Sequence, residues 1–405
     1  MTATAGAVAF DPYDYALQDD PYPTYKRLRD EDPLHHNAEQ DFWLITRHAD
    51  VNAAVRSDGT YSNRMGVSLD ASAWSPHAHQ TMSFLAMDPP EQTRLRKLVS
   101  QGFTPRRVAG LEPQIQRITD HYLDRHVGEG GFDWIGDLAG KIPMDVISEM
   151  VGVPEADRDE VRRLSDLLVH REPGVRDVTA AGMDAAITLF GYYADLLAEK
   201  KKHPADDLTT ALLEVADGTD RMTDREILAF LFLMVVAGNE TTTKLLGNAV
   251  FHLTADASQR DRVFADADDL SPVDQWVEET LRHDTSTQLL ARLLDQDLTL
   301  HGVTAPAGSR VVLGLGAANR DERVFTDPER FDLDRDPAEL RQSLSFGGGR
   351  HFCLGANLAR LEARVVLRSL VRRCSSIEAD HDGAVRFYSA NVRGFAHLPV
   401  TVTPR

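Results

Sequence analysis

Apolar positions recur every three or four residues through the middle of the chain, the period of helices with one buried face. This pattern predicts helices over residues 108–126, 144–151, 155–170, 180–202, 206–216, 223–254 and 272–283. Another begins at PPEQTRLRKLVSQGF, where two prolines and an early acid suit a helix N-terminus. Thr223, followed three residues later by Glu226, makes a capping-box pattern at the head of the longest helix. Ahead of these, residues 21–30 and 48–56 read as short helices, and 41–47 (DFWLITR) alternates like a strand. Residues 61–84 have no clear period and read as a long loop, a kind that often carries function. After Thr285 the texture turns β-like over 298–303, 310–315 and 385–402, and one more helix spans 356–373. The predicted fold is mainly α with a minor β part. With no internal repeat and no long linker, residues 1–405 read as one domain.

Composition narrows the classes. Hydrophobic residues make up 42% and charged residues 26% of 405, enough apolar material for a large core. The formal net charge of −19 argues against a nucleic-acid footprint or an anionic lipid surface as partner. Two cysteines cannot build a disulfide framework and suit a reducing cytoplasm. The start, MTATAGAVAFDPYDYALQDD, lacks the pattern of a secretory signal. The longest apolar run, 227–237, is too short for a membrane span and reads as the middle of a buried helix.

The loop SFGGGRHFCLG, residues 345–355, carries the candidate chemistry. Its three glycines can adopt positive φ and let backbone approach a flat ligand. Cys353 follows, just before a helix N-terminus whose free N–H groups stabilise a thiolate, with Arg350 and His351 nearby. A low-pKa, shielded thiolate is an axial ligand for haem iron that favours O–O cleavage. Upstream, the apolar helix LFLMVVAGNETTTKLLGNAV is interrupted by Gly238, Asn239, Glu240 and three threonines, poor helix formers in a buried setting. Threonine hydroxyls can bond the i−4 carbonyl and bend the helix, opening room for a ligand; the alternative is a fresh helix N-terminus at Thr241.

The 345–355 loop resembles the haem-binding loop of the cytochrome P450 family, with matches at Phe346, Gly349, His351, Cys353 and Gly355. AGNETT resembles that family's oxygen-activation motif. The resemblance implies a helical core that sandwiches haem b between a long central helix and the cysteine loop. It implies Cys353 as the iron ligand, and Glu240 and Thr241 as the acid and alcohol that guide protons beside dioxygen. It also implies Arg96, Arg292 (in LLARLL) and His351 at the haem propionates; Gln92 stands where the family often has histidine. Glu279 and Arg282 match a Glu-x-x-Arg pair, completed by a later arginine, Arg330 ahead of Arg335, in an ion network that supports the cysteine loop.

A substrate pocket is expected from 61–84, 165–183, Leu233, Val236, Ala237, Leu289, Leu290 and Val392, mostly apolar and so suited to a lipophilic small molecule such as a steroid, terpenoid, fatty acid or macrolide. Arg94, Lys97, Arg350, Arg360 and Arg364 cluster on the expected cysteine side and invite an acidic partner. No flavin or iron–sulfur segment follows Arg405, so electrons are expected from NAD(P)H through a ferredoxin and its reductase. The resulting expectation is a cytoplasmic monooxygenase. A haem-thiolate sensor without turnover would keep Cys353 but need neither Glu240 nor Thr241, and a cysteine hydrolase would be colourless.

Overall fold

A computed structural model describes residues 8–57, 59–169, 171–172 and 175–405. The first seven residues of the start segment, and positions 170, 173 and 174 of the expected pocket stretch 165–183, lie outside the described residues.

The architecture is organised around one helix, Asp224–Thr254. Its capping box forms: Thr223 Oγ1 accepts from the Glu226 N–H at 3.3 Å, and the Thr223 N–H donates to Glu226 Oε2 at 2.7 Å. Most of its side chains are buried on all sides, so it needs partners all round. Its first half (Ile227, Phe230, Leu231, Val235) packs with Leu189, Tyr193, Leu164 and Met144. Its second half (Leu245, Leu246, Val250, Leu253) packs with Trp134, Trp276, Val366 and Leu370. Trp134 and Trp276 each donate an indole N–H to a carbonyl of this helix, Leu246 at 3.0 Å and Ala249 at 2.8 Å. Among the described residues it alone is long and apolar enough to cross a membrane, and its burial by the surrounding elements accounts for that composition.

The helix runs unbroken through Gly238–Thr243, so the alternative of a new N-terminus at Thr241 does not hold. Gly238 has a different purpose from a break: a Cβ there would come within 2.2 Å of Ile147 Cδ1, so the glycine lets helix Ile142–Val151 approach. Thr243 donates to the Ala139 carbonyl at 3.1 Å, tying the central helix to the single π-turn Trp134–Ala139, which sequence reading missed.

Other predicted elements appear with small shifts. Helices Ala180–Lys202, Ala356–Arg373 and His48–Arg56 match their expected spans. The 298–303 stretch is instead a hairpin, Leu298–Leu300 against Val303–Ala305, turning at His301 and Gly302, both with positive φ. Helix Ala257–Phe264, capped by Asp256, was not foreseen. Residues 61–84 are mostly irregular, with the short strand Tyr61–Ser62 and brief helical turns.

The minor β part is a five-stranded mixed sheet in the order Leu34–Asn37, Phe42–Ile45, Arg310–Gly314, Leu289–Leu294, Tyr61–Ser62. A three-stranded sheet joins Cys374–Ala379, Pro399–Pro404 and Gly131–Asp133, and a hairpin pairs Val385–Phe387 with Gly394–His397. The central helix, the 289–294 strand and the loop ahead of helix Ala356–Arg373 enclose a common cavity.

Candidate active site

The cavity encloses about 1410 Å³ outside atoms, part of it open to solvent. One wall is a helical stripe of Phe230, Leu233, Met234, Ala237, Gly238 and Thr241, positions three or four apart on one face of the central helix. Val236 lies off that stripe, corrected from its expected place, and packs into the neighbouring core. Strand Leu289–Leu294 supplies Leu290 and Arg292; with a period of two, Leu289 turns to the opposite face and joins the core of Phe10 and Tyr25. Val392 likewise does not line the cavity: it bridges Thr287 from the outer side. Phe84, Leu85, Phe103 and Ile147 complete the apolar wall. Of these, only Phe84 fell within an expected stretch; Leu85 lies one residue past its end, and Phe103 and Ile147 sit in segments that read as helix.

Thr241 Oγ1 lines the cavity and donates to the Ala237 carbonyl at 3.0 Å, the i−4 bond expected of a threonine in a helix. Glu240 is not on the cavity wall. Its carboxylate is buried and sits 3.1 Å from Lys244 Nζ, one turn along. On helix Arg158–Val169, Asp166 feels this charge: desolvation, then Glu240, raises its carboxyl to about 6. Asp166 is accessible to solvent yet crowded by protein, which is how it can be both open and desolvated.

The cysteine loop closes the opposite end. Gly347 and Gly349 take positive φ (67° and 59°). A Cβ on Gly349 would lie 2.5 Å from the Val55 carbonyl, so the close approach these glycines permit is to helix His48–Arg56 as well as to the cavity. The Cys353 N–H donates to the Phe346 carbonyl at 3.0 Å, which folds the loop back on itself. The thiol is open to the cavity but walled by protein. Burial raises its pKa, and the Gly355 and Ala356 N–H groups with Arg96 and Arg360 pull it down without prevailing. The expected helix start and cations are in place and favour the thiolate, with burial opposing them. Gln92 is buried and donates to the Arg350 carbonyl at 3.0 Å, so it braces this loop instead of facing the cavity.

Arg96, Arg292 and His351 meet on the cavity margin. Arg96 donates to the Phe352 carbonyl at 2.7 Å. Arg292 is buried, with no carboxylate in ion-pair range among the described residues and only the neighbouring Ala291 carbonyl as acceptor, at 2.7 Å. Burial lowers its pKa to about 10. His351 Nδ1 is buried without a partner, and burial, then Arg292, pushes the ring down to about 3, so it acts as a neutral hydrogen-bonding group. A buried cation lacking an anion and an orphaned ring nitrogen are donors awaiting carboxylate acceptors. With a cysteine sulfur at one end of the same cavity, this donor set fits haem, whose two propionates need such groups. Glu362, buried with its Oε2 unpartnered and raised well above the usual carboxylate range by desolvation, also reaches this cavity, and no motif had marked it.

Beneath the loop, Glu279 accepts from Arg282 Nε at 2.8 Å and Nη2 at 2.7 Å, both residues being fully buried. The third member is Arg335, whose Nε lies 3.1 and 3.0 Å from the two Glu279 oxygens. Arg330 is corrected: its side chain is exposed and only its carbonyl joins, accepting from Arg282 and Arg335. The basic cluster is also largely compensated. Arg94 pairs with Asp220 and Glu226, Lys97 with Asp217, Arg360 with Glu278, and Arg364 with Asp274 and Glu278.

A helical fold wrapped round one central helix, with a cysteine loop and propionate-type donors on a shared cavity, defines a haem-thiolate protein. The family model "Cytochrome P450" matches residues 183–399. The chain is 52% identical over 407 residues, covering 100% of both chains, to the putative cytochrome P450 123 of Mycobacterium tuberculosis. It is 40% identical to the vitamin D(3) 25-hydroxylase of Pseudonocardia autotrophica, covering 99% of this chain and 98% of that one. It resembles the crystal structure of CYP109E1 from Bacillus megaterium in complex with corticosterone, with a TM-score of 0.84 and 30% identity over 95% of this chain and 99% of that one. The chain belongs to the cytochrome P450 family of haem-dependent monooxygenases.

Proposed function

We propose that this monooxygenase hydroxylates a lipophilic polycyclic substrate of the steroid or secosteroid class, using haem b held by Cys353. Bound haem would supply the iron at which dioxygen is activated. The balance is RH + O₂ + 2e⁻ + 2H⁺ → ROH + H₂O, so the chain must deliver two protons as well as hold the substrate. Arg96, Arg292 and His351 would anchor the propionates, and Thr241, from the cavity wall, would pass protons drawn from Glu240 behind it. The observation that carries the reading is that Thr241 and Cys353 line one cavity whose remaining wall is largely apolar. The named activity of the Pseudonocardia relative and the corticosterone bound to the Bacillus enzyme support the substrate class.

Electrons would come from NAD(P)H through an acidic iron–sulfur ferredoxin and its reductase, in the cytoplasm. Phe352, 43% exposed beside Cys353, with its carbonyl taken by Arg96 and its ring next to Phe346, over which Arg360 stacks, supports a docking point there. The test has two parts. Reduced, haem-loaded protein treated with carbon monoxide should show the long-wavelength band of a thiolate adduct, absent in Cys353→Ser. Vitamin D3 and corticosterone titrations should shift the haem spin state, and Thr241→Ala should divert electrons from product to hydrogen peroxide. A wild-type protein without the thiolate band, or a Thr241→Ala enzyme with unchanged coupling, would sink the corresponding assignment.

A further inference from the structure

Lys244 lies one helical turn after Glu240 and is 3% exposed, an expensive place for an ammonium group. Three contacts hold it there. Nζ sits 3.1 Å from Glu240 Oε2, donates to the Phe395 carbonyl at 3.2 Å, and stands 3.8 Å over the Phe387 ring. Its stem lies against Gly394, where a Cβ would come within 2.6 Å of Lys244 Cβ. The C-terminal hairpin is thus shaped to receive this side chain, and residue 394 has to be small for that reason.

Glu240 depends on this cation. Its Oε2 is buried and accepts no well-aligned hydrogen bond, so the contact with Lys244 is ionic and not directional. From helix Arg158–Val169 the group that bears on it is another acid, Asp166. Arg162, on the same helix, is engaged by Asp145 at 2.6 Å. From the Trp134–Ala139 turn the contact is made by the neutral Ala139 carbonyl, taken by Thr243. Without Lys244, the buried Glu240 carboxyl would lose its cation, a situation relieved by taking up a proton.

We propose that Lys244 is a positioning residue for oxygen activation: it holds the Glu240 carboxylate as an anion turned away from the cavity wall, ready to take up each proton before it moves toward Thr241. The proposal rests on reading Glu240 and Thr241 as the proton route. Its consequence is that the relay is reset to the anion after each transfer. A Glu240 relieved of Lys244 would keep its proton and deliver it slowly.

The full-length chain can be tested without turnover. Infrared difference spectra near neutral pH would compare the wild type with Lys244→Met, Glu240→Gln and the double variant. Any band from the buried Glu362 is common to all four and cancels. Lys244→Met should show an additional protonated-carboxyl C=O band that the double variant lacks. Denaturant unfolding should show Lys244→Met lowering the folding constant by about a hundredfold or more, since the buried carboxyl loses its cation and must take up a proton to stay buried, with part of the loss recovered in the double variant. Should Lys244→Met not fold, Lys244→Gln, which keeps a donor for the Phe395 carbonyl, should show the same band. Absence of the band in the folded variant would overturn the proposal, because Glu240 would then be ionised without help. Unchanged coupling in Glu240→Gln would instead remove the proton-route reading while leaving the Lys244–Glu240 pairing intact, so the two failures are distinguishable.

Discussion

Replacing Arg335 by methionine tests how the cysteine loop is supported. Glu279 is fully buried and accepts from Arg282, from Arg335 and from the Asp332 N–H, at 2.7 to 3.1 Å. Arg335 also donates to the Thr326 carbonyl at 2.6 Å and to the Asp327 and Arg330 carbonyls at 3.2 and 3.0 Å. Removing it leaves these carbonyls without that donor and takes one of two guanidiniums from a buried carboxylate. Breaking such a buried pair costs about 3–5 kcal/mol. With an unfolding entropy of about 2.1 cal/mol/K per residue, a chain of 405 residues converts about 4 kcal/mol into a Tm fall of about 5 °C.

The damage should travel, because Arg282 also holds the Asn319 carbonyl, and Asn319 holds both the Leu344 N–H and Ser345 Oγ at the start of the loop. Calorimetry on the haem-loaded protein should therefore show the lower Tm together with faster haem loss. Arg330→Met, on an exposed side chain, should stay within about 0.5 kcal/mol of the wild type. If Arg335→Met melted with the wild type, or if Arg330→Met were the damaging variant, the network described here would be wrong.

Gly238→Ala should lose about 1–3 kcal/mol from the collision with Ile147 Cδ1, and Ile147→Val should restore part of it in the double variant; chemical denaturation would measure both. Asp256 caps helix Ala257–Phe264 through the Ser258 and Gln259 N–H groups, and hydrogen bonds lower its pKa to about 2. Since the folded value is depressed, its stabilisation is present above the unfolded pKa of about 4 and is lost as pH falls through about 2. Asp256→Ala should thus cost about 1 kcal/mol at neutral pH, and the gap to the wild type should close between about pH 4 and 2. Arg292→Met should weaken haem retention without lowering the Tm of the haem-free chain, since no carboxylate among the described residues lies in ion-pair range of its buried guanidinium; a lower haem-free Tm would argue against a propionate role.

What could be read from the chain alone was local. The spans Ala180–Lys202 and Ala356–Arg373 follow from a 3.6-residue period, and the start at Thr223 from a capping box, because those forces act between residues three or four apart. The cysteine loop was legible for the same reason, its glycines, basic residues and sulfur being contiguous. Choices of long-range partner were not legible. Arg330 and Arg335 sit five residues apart in the same polar segment, and only the course of the backbone decides which reaches Glu279. Leu289 and Leu290 are chemically alike, and the sheet's orientation sends one to the core and the other to the cavity. Gly238 looked like a break in a helix until Ile147 was found against it, and nothing in the sequence marked Lys244 for burial under the C-terminal hairpin. Sequence determines which segments take which regular form, since each turn's energy is settled by near neighbours. Tertiary structure decides which side chain is buried, paired or open to the cavity, since those energies depend on groups brought together from far along the chain, 258 residues in the case of Gln92 and Arg350.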